Sequence, residues 1–443
     1  MADPAATALV PFCTGRTSSA TLGPFAGVRT EGWALPAGMD SMATPIRAQA
    51  GARAYAATSE APMTEHRYGL GDRGPAVAEI RTKLVQLGIL PTTAEAVGHV
   101  DAPFDESVDR AVRQFQQQRG LTANGVVDAE TYRVLDEARW RLGDRLLSYT
   151  AGHLLTGDDV ATLQRRLMEL GFEVDRIDGM YGPSTEHAVR EFQHSVGAPA
   201  DGTCGPATFK ALARLSPIVT GGRADALRES ERIHRSGPRL PGKVVVIDPG
   251  HGGADRGCSA NGLSEAEIAF DLACRIEGRL EATGVRVYLS RGRDASPDEA
   301  TRARFANETD ADLVVSLHVD EHPNPHASGV ATYYYGTAGH EDDIPSTLGE
   351  RFAGLVQREI VARTDLRDCH THAKTWDLLR YTRMPAVRIE LGYVTNPSDA
   401  ARISDPGFRD VVAEAIVVAV QRVYLPPEMD APTGVLQLGE LIR

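Results

Sequence analysis

The chain has 443 residues, too many for one ordinary core, and two to four domains are expected. A composition of 42% hydrophobic and 24% charged residues is that of a soluble globular protein, and a net charge of −13 argues against a nucleic-acid binder, which needs a basic face to neutralise phosphates. The five cysteines are scattered and odd in number, which excludes a disulfide framework or a zinc-finger pattern, and no stretch reaches the roughly 18 apolar residues of a transmembrane segment.

Residues 1–65 are rich in Ala, Gly, Thr, Ser and Pro without sustained period and read as a disordered or over-extended start, with Met63 as an alternative initiator. No export signal is legible, because an acidic residue stands where a signal peptide carries positive charge. By sequence the chain is therefore expected in the cytoplasm.

An internal repeat follows. Val77, Leu84, Leu87 and Gly88 match Val160, Leu167, Leu170 and Gly171, and Ala111, Val112, Phe115, Gly125 and Thr131 match Ala188, Val189, Phe192, Gly202 and Thr208. The change of offset between the two sets places an insertion between Gly88 and Phe104. Each unit, 70–138 and 150–215, reads as three short helices. Val160, Leu163, Leu167 and Leu170 keep helical spacing, Gly171 is a C-cap signal, and Pro206 is a favoured first helical residue. Phe115 and Phe192 at helical spacing read as core. Unit two, with Asp178-Gly179, Tyr181-Gly182, Thr185, Phe192-Gln193, Asp201-Gly202 and Thr208, resembles the peptidoglycan-binding domain of three-helix-bundle type, and unit one is a weaker match.

Residues 216–241 read as a linker. Over 242–425 strands alternate with helices: Val244–Ile247, Val285–Leu289, Leu313–Leu317, Val330–Tyr335 and Ala386–Ile389 as strands, with helices at 265–283, 297–308, 345–363 and 408–424. The expected fold is therefore multidomain, two small all-α three-helix-bundle domains followed by an α/β domain with a mostly parallel sheet.

Sites in such sheets form at the carboxyl ends of strands. Strand 244–247 exits into Asp248 and His251, strand 313–317 into His318 and Asp320, and strand 386–389 into Glu390, while a helix begins near Glu265. Singly, Glu265 reads as a first-turn acid favouring the helix dipole and His318 as a satisfied core histidine. Glu390, leaving a buried strand, needs a partner or a function. Together they supply two imidazoles and two carboxylates at one edge. Two His and one Glu around an open fourth position is a catalytic zinc arrangement, and a carboxylate outside the metal shell can move the proton of an attacking water. His251, Glu265 and His318 are the candidate Zn2+ ligands and Glu390 the candidate base and acid.

The segments "DPGHGGADRG", "LSEAEIAFDLA", "ADLVVSLHVD" and "MPAVRIELGYVTNP" together resemble the zinc-dependent N-acetylmuramoyl-L-alanine amidase catalytic domain of amidase-3 type. The resemblance implies the same ligand set, Glu390 as catalytic glutamate, and cleavage between the lactyl group of muramic acid and L-alanine of the stem peptide. The chain departs from the family at Ala266, where Lys is usual, and at Val319-Asp320, where Ala-Asn is usual. Asp320 is expected to bind substrate or orient a ligand, and Arg380 to grip a substrate carboxylate. His322, His326, His340, His370 and His372 are expected in polar loops. Tandem binding units would concentrate the catalytic domain on peptidoglycan or its fragments. The order of parts also resembles an actinobacterial group that includes regulators of wall synthesis, so a non-hydrolytic cytoplasmic regulator is the alternative. In that alternative the 426–443 tail around Thr433 would dock a protein partner.

Overall fold

The computed structural model describes residues 67–91, 101–215, 237, 239–337 and 347–425. The 1–65 extension, nearly all of the 216–241 linker, His340 and the tail with Thr433 lie outside the described residues. Among the described residues, no helix is long and apolar enough to cross a membrane.

The first repeat contributes α1 (Pro75–Gln86), α2 (Glu106–Gln118) and α3 (Ala129–Ala138), and the second α4 (Asp158–Glu169), α5 (Pro183–Ser195) and α6 (Pro206–Arg214). Each closes on its own apolar cluster. Ile80, Leu84, Phe104, Val112, Phe115 and Leu135 fill the first, and Val160, Leu163, Leu167, Tyr181 and Phe192 the second. Each such side chain contributes roughly 1.5–3 kcal/mol on leaving water. Starts are set locally: Asp105 caps α2 by accepting from the Ser107 and Val108 amides, and Pro183 and Pro206 open their helices where no amide partner is needed.

A buried glutamine explains why the sequence pattern repeats. Gln193 donates to Asp201 Oδ1, the Thr203 carbonyl and Thr208 Oγ1, and accepts from the Gly202 amide. Gln164 makes the same four bonds to Asp178, Met180, Thr185 and Gly179, and Gln116 closes the equivalent turn of the first repeat through Asn124, Val126, Thr131 and Gly125. One side-chain amide therefore satisfies the whole Gly-containing turn, which could not otherwise be buried.

The α/β region carries β1 (Val244–Pro249), a small hairpin of β2 (Ser259–Ala260) and β3 (Leu263–Ser264), α7 (Glu265–Glu281), β4 (Arg286–Leu289), α8 (Glu299–Glu308), β5 (Leu313–Asp320), β6 (Val330–Tyr335), α9 (Thr347–Arg363), β7 (Asp368–Lys374), α10 (Asp377–Tyr381), β8 (Ala386–Tyr393), α11 (Pro397–Ser404) and α12 (Pro406–Val423). The main sheet runs β4-β1-β5-β8-β6-β7, parallel except where β6 meets β8. On one face Val245, Ile247, Val315, Val387 and Ile389 pack under α7, α9 and α12, with Leu272, Phe352 and Ile416 opposing them. On the other, Val244, Val246, Val314 and Ala386 meet Ala306 of α8 and Leu379 of α10.

Two elements differ from the sequence expectation. His370 and His372 lie not in a polar loop but on edge strand β7, whose residues alternate between exposed and half-buried. The segment "DCHTHAK" has no apolar run, so its strand character comes only from pairing with β6. The repeats, read from the sequence only as separate domains ahead of a linker, are docked on the α/β region. Thr375 Oγ1 donates to the Arg119 carbonyl at 2.9 Å, Lys374 Nζ to the Leu121 carbonyl at 3.0 Å, and Arg176 stacks its guanidinium 4.1 Å over the Tyr335 ring while donating to the Leu379 carbonyl.

Candidate metal centre

β1 and β5 are parallel neighbours, with Pro249 opposite Leu317, so the turn after β1 and the last turn of β5 emerge at one edge. His251 sits in that turn at φ 55, in the left-handed region that side-chain-bearing residues rarely adopt. The turn is held by two buried arginines. Arg291 donates to the carbonyls of Pro249 at 2.7 Å and Gly250 at 2.8 Å, and Arg302 to those of Pro249 and His251, each at 2.7 Å. Arg302 is in turn fixed by Asp248 at 2.9 Å. Asp248, at the strand end, therefore supports the turn and does not join the cluster. Burial pushes the Arg291 guanidinium down to about 10.

Two glycines give the imidazoles room. A Cβ on Gly250 would lie 2.3 Å from His318 Cε1, and one on Gly257 2.5 Å from Glu265 Oε2 and 2.7 Å from His251 Cδ2. Either side chain would fill the centre.

Into that space the chain brings His251, Glu265 and His318, whose ligand atoms all lie within 4.8 Å of one another. Glu265, the first residue of α7 and 2% exposed, places Oε2 3.2 Å from His251 Nε2 and Oε1 2.8 Å from His318 Nδ1. The amides of Cys258 and Val319 also donate to it, at 2.9 and 3.2 Å. Burial works to raise the Glu265 carboxyl, but hydrogen bonds from His251 and His318 hold it far below the usual range. Glu265 in turn pushes the His251 imidazole up to about 9. Asp255 takes the other nitrogen, Nδ1, at 2.7 Å, which fixes the ring and turns Nε2 inward. Nothing in the cluster carries a permanent positive charge. Two nitrogens and a carboxylate, pre-oriented and mutually close, suit a borderline-soft divalent cation.

Glu390 lies beside this set, opposite His318 in the β5–β8 register. Its Oε1 accepts from Arg388 Nε at 2.9 Å and Nη2 at 2.8 Å. Burial raises its carboxyl above the ordinary range, against the opposing pull of Arg388. Asp320, two residues past His318, accepts from the Glu321 amide at 2.7 Å, and burial also raises it. Burial pushes the Cys258 thiol up, away from reactivity.

Arg380 is not brought to this edge. Its guanidinium is 6% exposed, bonded to Glu137 of the first repeat at 2.9 Å and to the Asp178 carbonyl of the second at 3.2 Å. Nε and Nη1 are thus engaged by the repeats, and the expected grip on a substrate carboxylate is not placed beside the cluster. The functional residues that sequence reasoning missed are Asp255, Arg291, Arg302 and Arg388. A readable signal existed for Asp255 alone, a carboxylate four residues after a ligand-type histidine in a tight turn.

Two helical repeats precede a doubly covered, mostly parallel sheet with a His/Glu/His cluster at its carboxyl edge. The family model for N-acetylmuramoyl-L-alanine amidase matches residues 245–422, and that for a peptidoglycan binding domain matches 73–135 and 156–212. The N-acetylmuramoyl-L-alanine amidase CwlM of Mycobacterium tuberculosis is 46% identical over 380 residues, 84% of this chain and 93% of that protein. The N-acetylmuramoyl-L-alanine amidase LytC of Bacillus subtilis is 32% identical over 175 residues, 40% of this chain and 34% of that protein. The solved structure of the amidase AmiC2 of Nostoc punctiforme, 30% identical, covers 41% of this chain and 96% of its own with a TM-score of 0.37. The chain belongs to the N-acetylmuramoyl-L-alanine amidase family and carries two peptidoglycan-binding domains ahead of the amidase domain.

Proposed function

We propose that this protein is a zinc-dependent hydrolase that cleaves the amide between N-acetylmuramic acid and L-alanine in peptidoglycan. The observation that carries the reading is the convergence of His251, Glu265 and His318 with Glu390 one strand away. His251, Glu265 and His318 would hold the ion, which supplies a Lewis acid that polarises the amide carbonyl and acidifies water. Asp255 keeps His251 in one orientation. Glu390 Oε1 is engaged by Arg388, which leaves Oε2 to accept the proton of the attacking water and pass it to the departing L-alanine nitrogen. A carboxyl raised by burial is suited to both halves of that transfer. Asp320, at the rim, is the proposed substrate contact. The repeats present the polymer from a fixed position, because they are docked against the α/β region.

The test is release of free L-alanine amino termini from purified peptidoglycan by the zinc-loaded full chain, beside Glu390→Gln. Hydrolysis by the wild type that falls at least about 100-fold in the variant is expected, the usual worth of a general acid–base group. No hydrolysis by the zinc-loaded wild type overturns the reading. The Arg388 cation on the base favours one second reading, a non-hydrolytic regulator of wall synthesis on the same scaffold, because a paired carboxylate is a weaker base. That reading expects stoichiometric zinc and no product.

A further inference from the structure

Residues 388 and 390 share one face of β8, since side chains alternate along a strand. Arg388 uses that placement fully. Nε and Nη2 hold Glu390 Oε1, while Nη1 reaches Glu299 Oε1 at 3.1 Å. The flat guanidinium also lies 4.5 Å over the Trp376 ring. Two carboxylates and an aromatic face hold it in this rotamer.

The contacts continue outward. The other oxygen of Glu299, Oε2, accepts from the Leu378 amide at 3.0 Å, in the first turn of α10. The preceding residue, Asp377, pairs with Arg133 of the first repeat at 2.8 Å. One helical turn on, Glu137 of the same repeat holds Arg380. Helix α3 thus clasps α10 with Arg133 on Asp377 and Glu137 on Arg380, charges opposed at each point. From Arg133 to Glu390 the path runs through Asp377, its chain neighbour Leu378, Glu299 and Arg388; the Asp377–Leu378 step is the backbone of α10 itself, and each of the others is a hydrogen bond with at least one charged partner.

We propose that Arg388 is a positioning residue for Glu390, and that docking of the first repeat on α10 sets its position through Asp377 and Glu299. The repeat then does more than bind polymer. It completes the support of the catalytic carboxylate, so displacing the repeat from α10 misplaces Oε2 relative to the metal ligands. This rests on the catalytic role proposed for Glu390. Freed of Arg388, the Glu390 carboxylate loses both hydrogen bonds that fix Oε1. A misplacement of about 1 Å in such a group costs on the order of 100-fold in rate.

The experiment compares full-length, zinc-loaded wild type with Arg388→Met, Arg388→Lys, Arg133→Ala and the Arg133→Ala/Arg388→Met double variant. Arg388→Met is expected to lower kcat about tenfold or more with KM within about twofold, and Arg388→Lys to recover part of the loss. Arg133→Ala should lower kcat about threefold, and the double variant should fall no further than Arg388→Met, because both act on one element. Unchanged kcat in Arg388→Met, or fully additive losses, overturns the proposal. Crystal structures of wild type and Arg388→Met read the same point without turnover. A Glu390 carboxylate that leaves its place opposite His318 supports it, and an unmoved one overturns it. If the wild type does not hydrolyse peptidoglycan but Glu390 moves in Arg388→Met, the hydrolytic reading fails and the positioning stands.

Discussion

Two groups of paired ionisable side chains border the α/β region, each part buried and part half-exposed, and they are balanced in opposite ways. Where the first repeat meets α10, Glu137 faces Arg380 and Asp377 faces Arg133, each carboxylate against a cation that keeps its charge at any physiological pH. At the carboxyl edge, Glu265 faces only His251 and His318, whose charge is conditional on a proton. The first arrangement is closed, because nothing is left for a ligand to neutralise. The second is open to a cation, because no permanently charged group is paired with its carboxylate. Burial and ion pairing alone would rank the two alike. The identity of the partner separates a joint from a site.

The largest effect should come from breaking the open cluster. His251→Ala is expected to lose zinc by more than the ~100-fold that removing an outer-sphere partner costs, with the far-ultraviolet spectrum unchanged. Full zinc occupancy by elemental analysis would remove His251 from the ligand set. Breaking the closed joint should instead cost stability. Glu137→Ala strands Arg380 without its charge partner, and urea unfolding should show a loss of ~3–5 kcal/mol, much of it recovered in Glu137→Leu/Arg380→Leu. A loss below ~1 kcal/mol would show the pair to be incidental to docking.

A smaller change sharpens the contrast from the metal side. Asp255→Ala leaves three ligands but frees the His251 ring, and zinc affinity by competition titration should drop ~10–100-fold. Equal affinity would mean that the strained turn alone orients the ring. The smallest effect belongs to Glu130, beside the joint. Burial, with the nearby Asp377 charge, pushes its carboxyl up to about 7 from 4.5, against the pull of Arg133 and with Asp128 and Glu299 adding to the rise. The folded chain holds this proton more tightly than the unfolded one, so its favourable contribution is present below 4.5 and is lost as pH rises through about 7. Glu130→Gln should therefore be more stable than wild type by ~1–2 kcal/mol at pH 8 and equal to it at pH 4, by thermal unfolding across pH. A pH-independent difference would contradict the shift.

Much of this was legible along the chain. The repeat appeared as matched apolar positions, and its turns as Asp-Gly pairs. His251, Glu265, His318 and Glu390 could be collected from strand ends before any coordinates. Edge strand β7 was not legible, since its pairing with β6 and not its own composition makes it a strand. Arg380 looked like a substrate contact because an arginine reads the same in sequence whether or not an internal carboxylate already holds it.

The sequence by itself determined the periodic helices, the alternation of strands and helices, and the ligand types at the sheet edge. Those are local properties, set by side-chain spacing of 2 or 3.6 residues. Only the tertiary structure decided which arginine holds which acid. Arg380 meets Glu137 across 243 positions, Arg133 meets Asp377 across 244, and Arg302 braces the His251 turn from 51 residues away. Long charged side chains carry no periodic signal of their partners, and the energy that selects a pairing exists only once both groups have been taken out of water together.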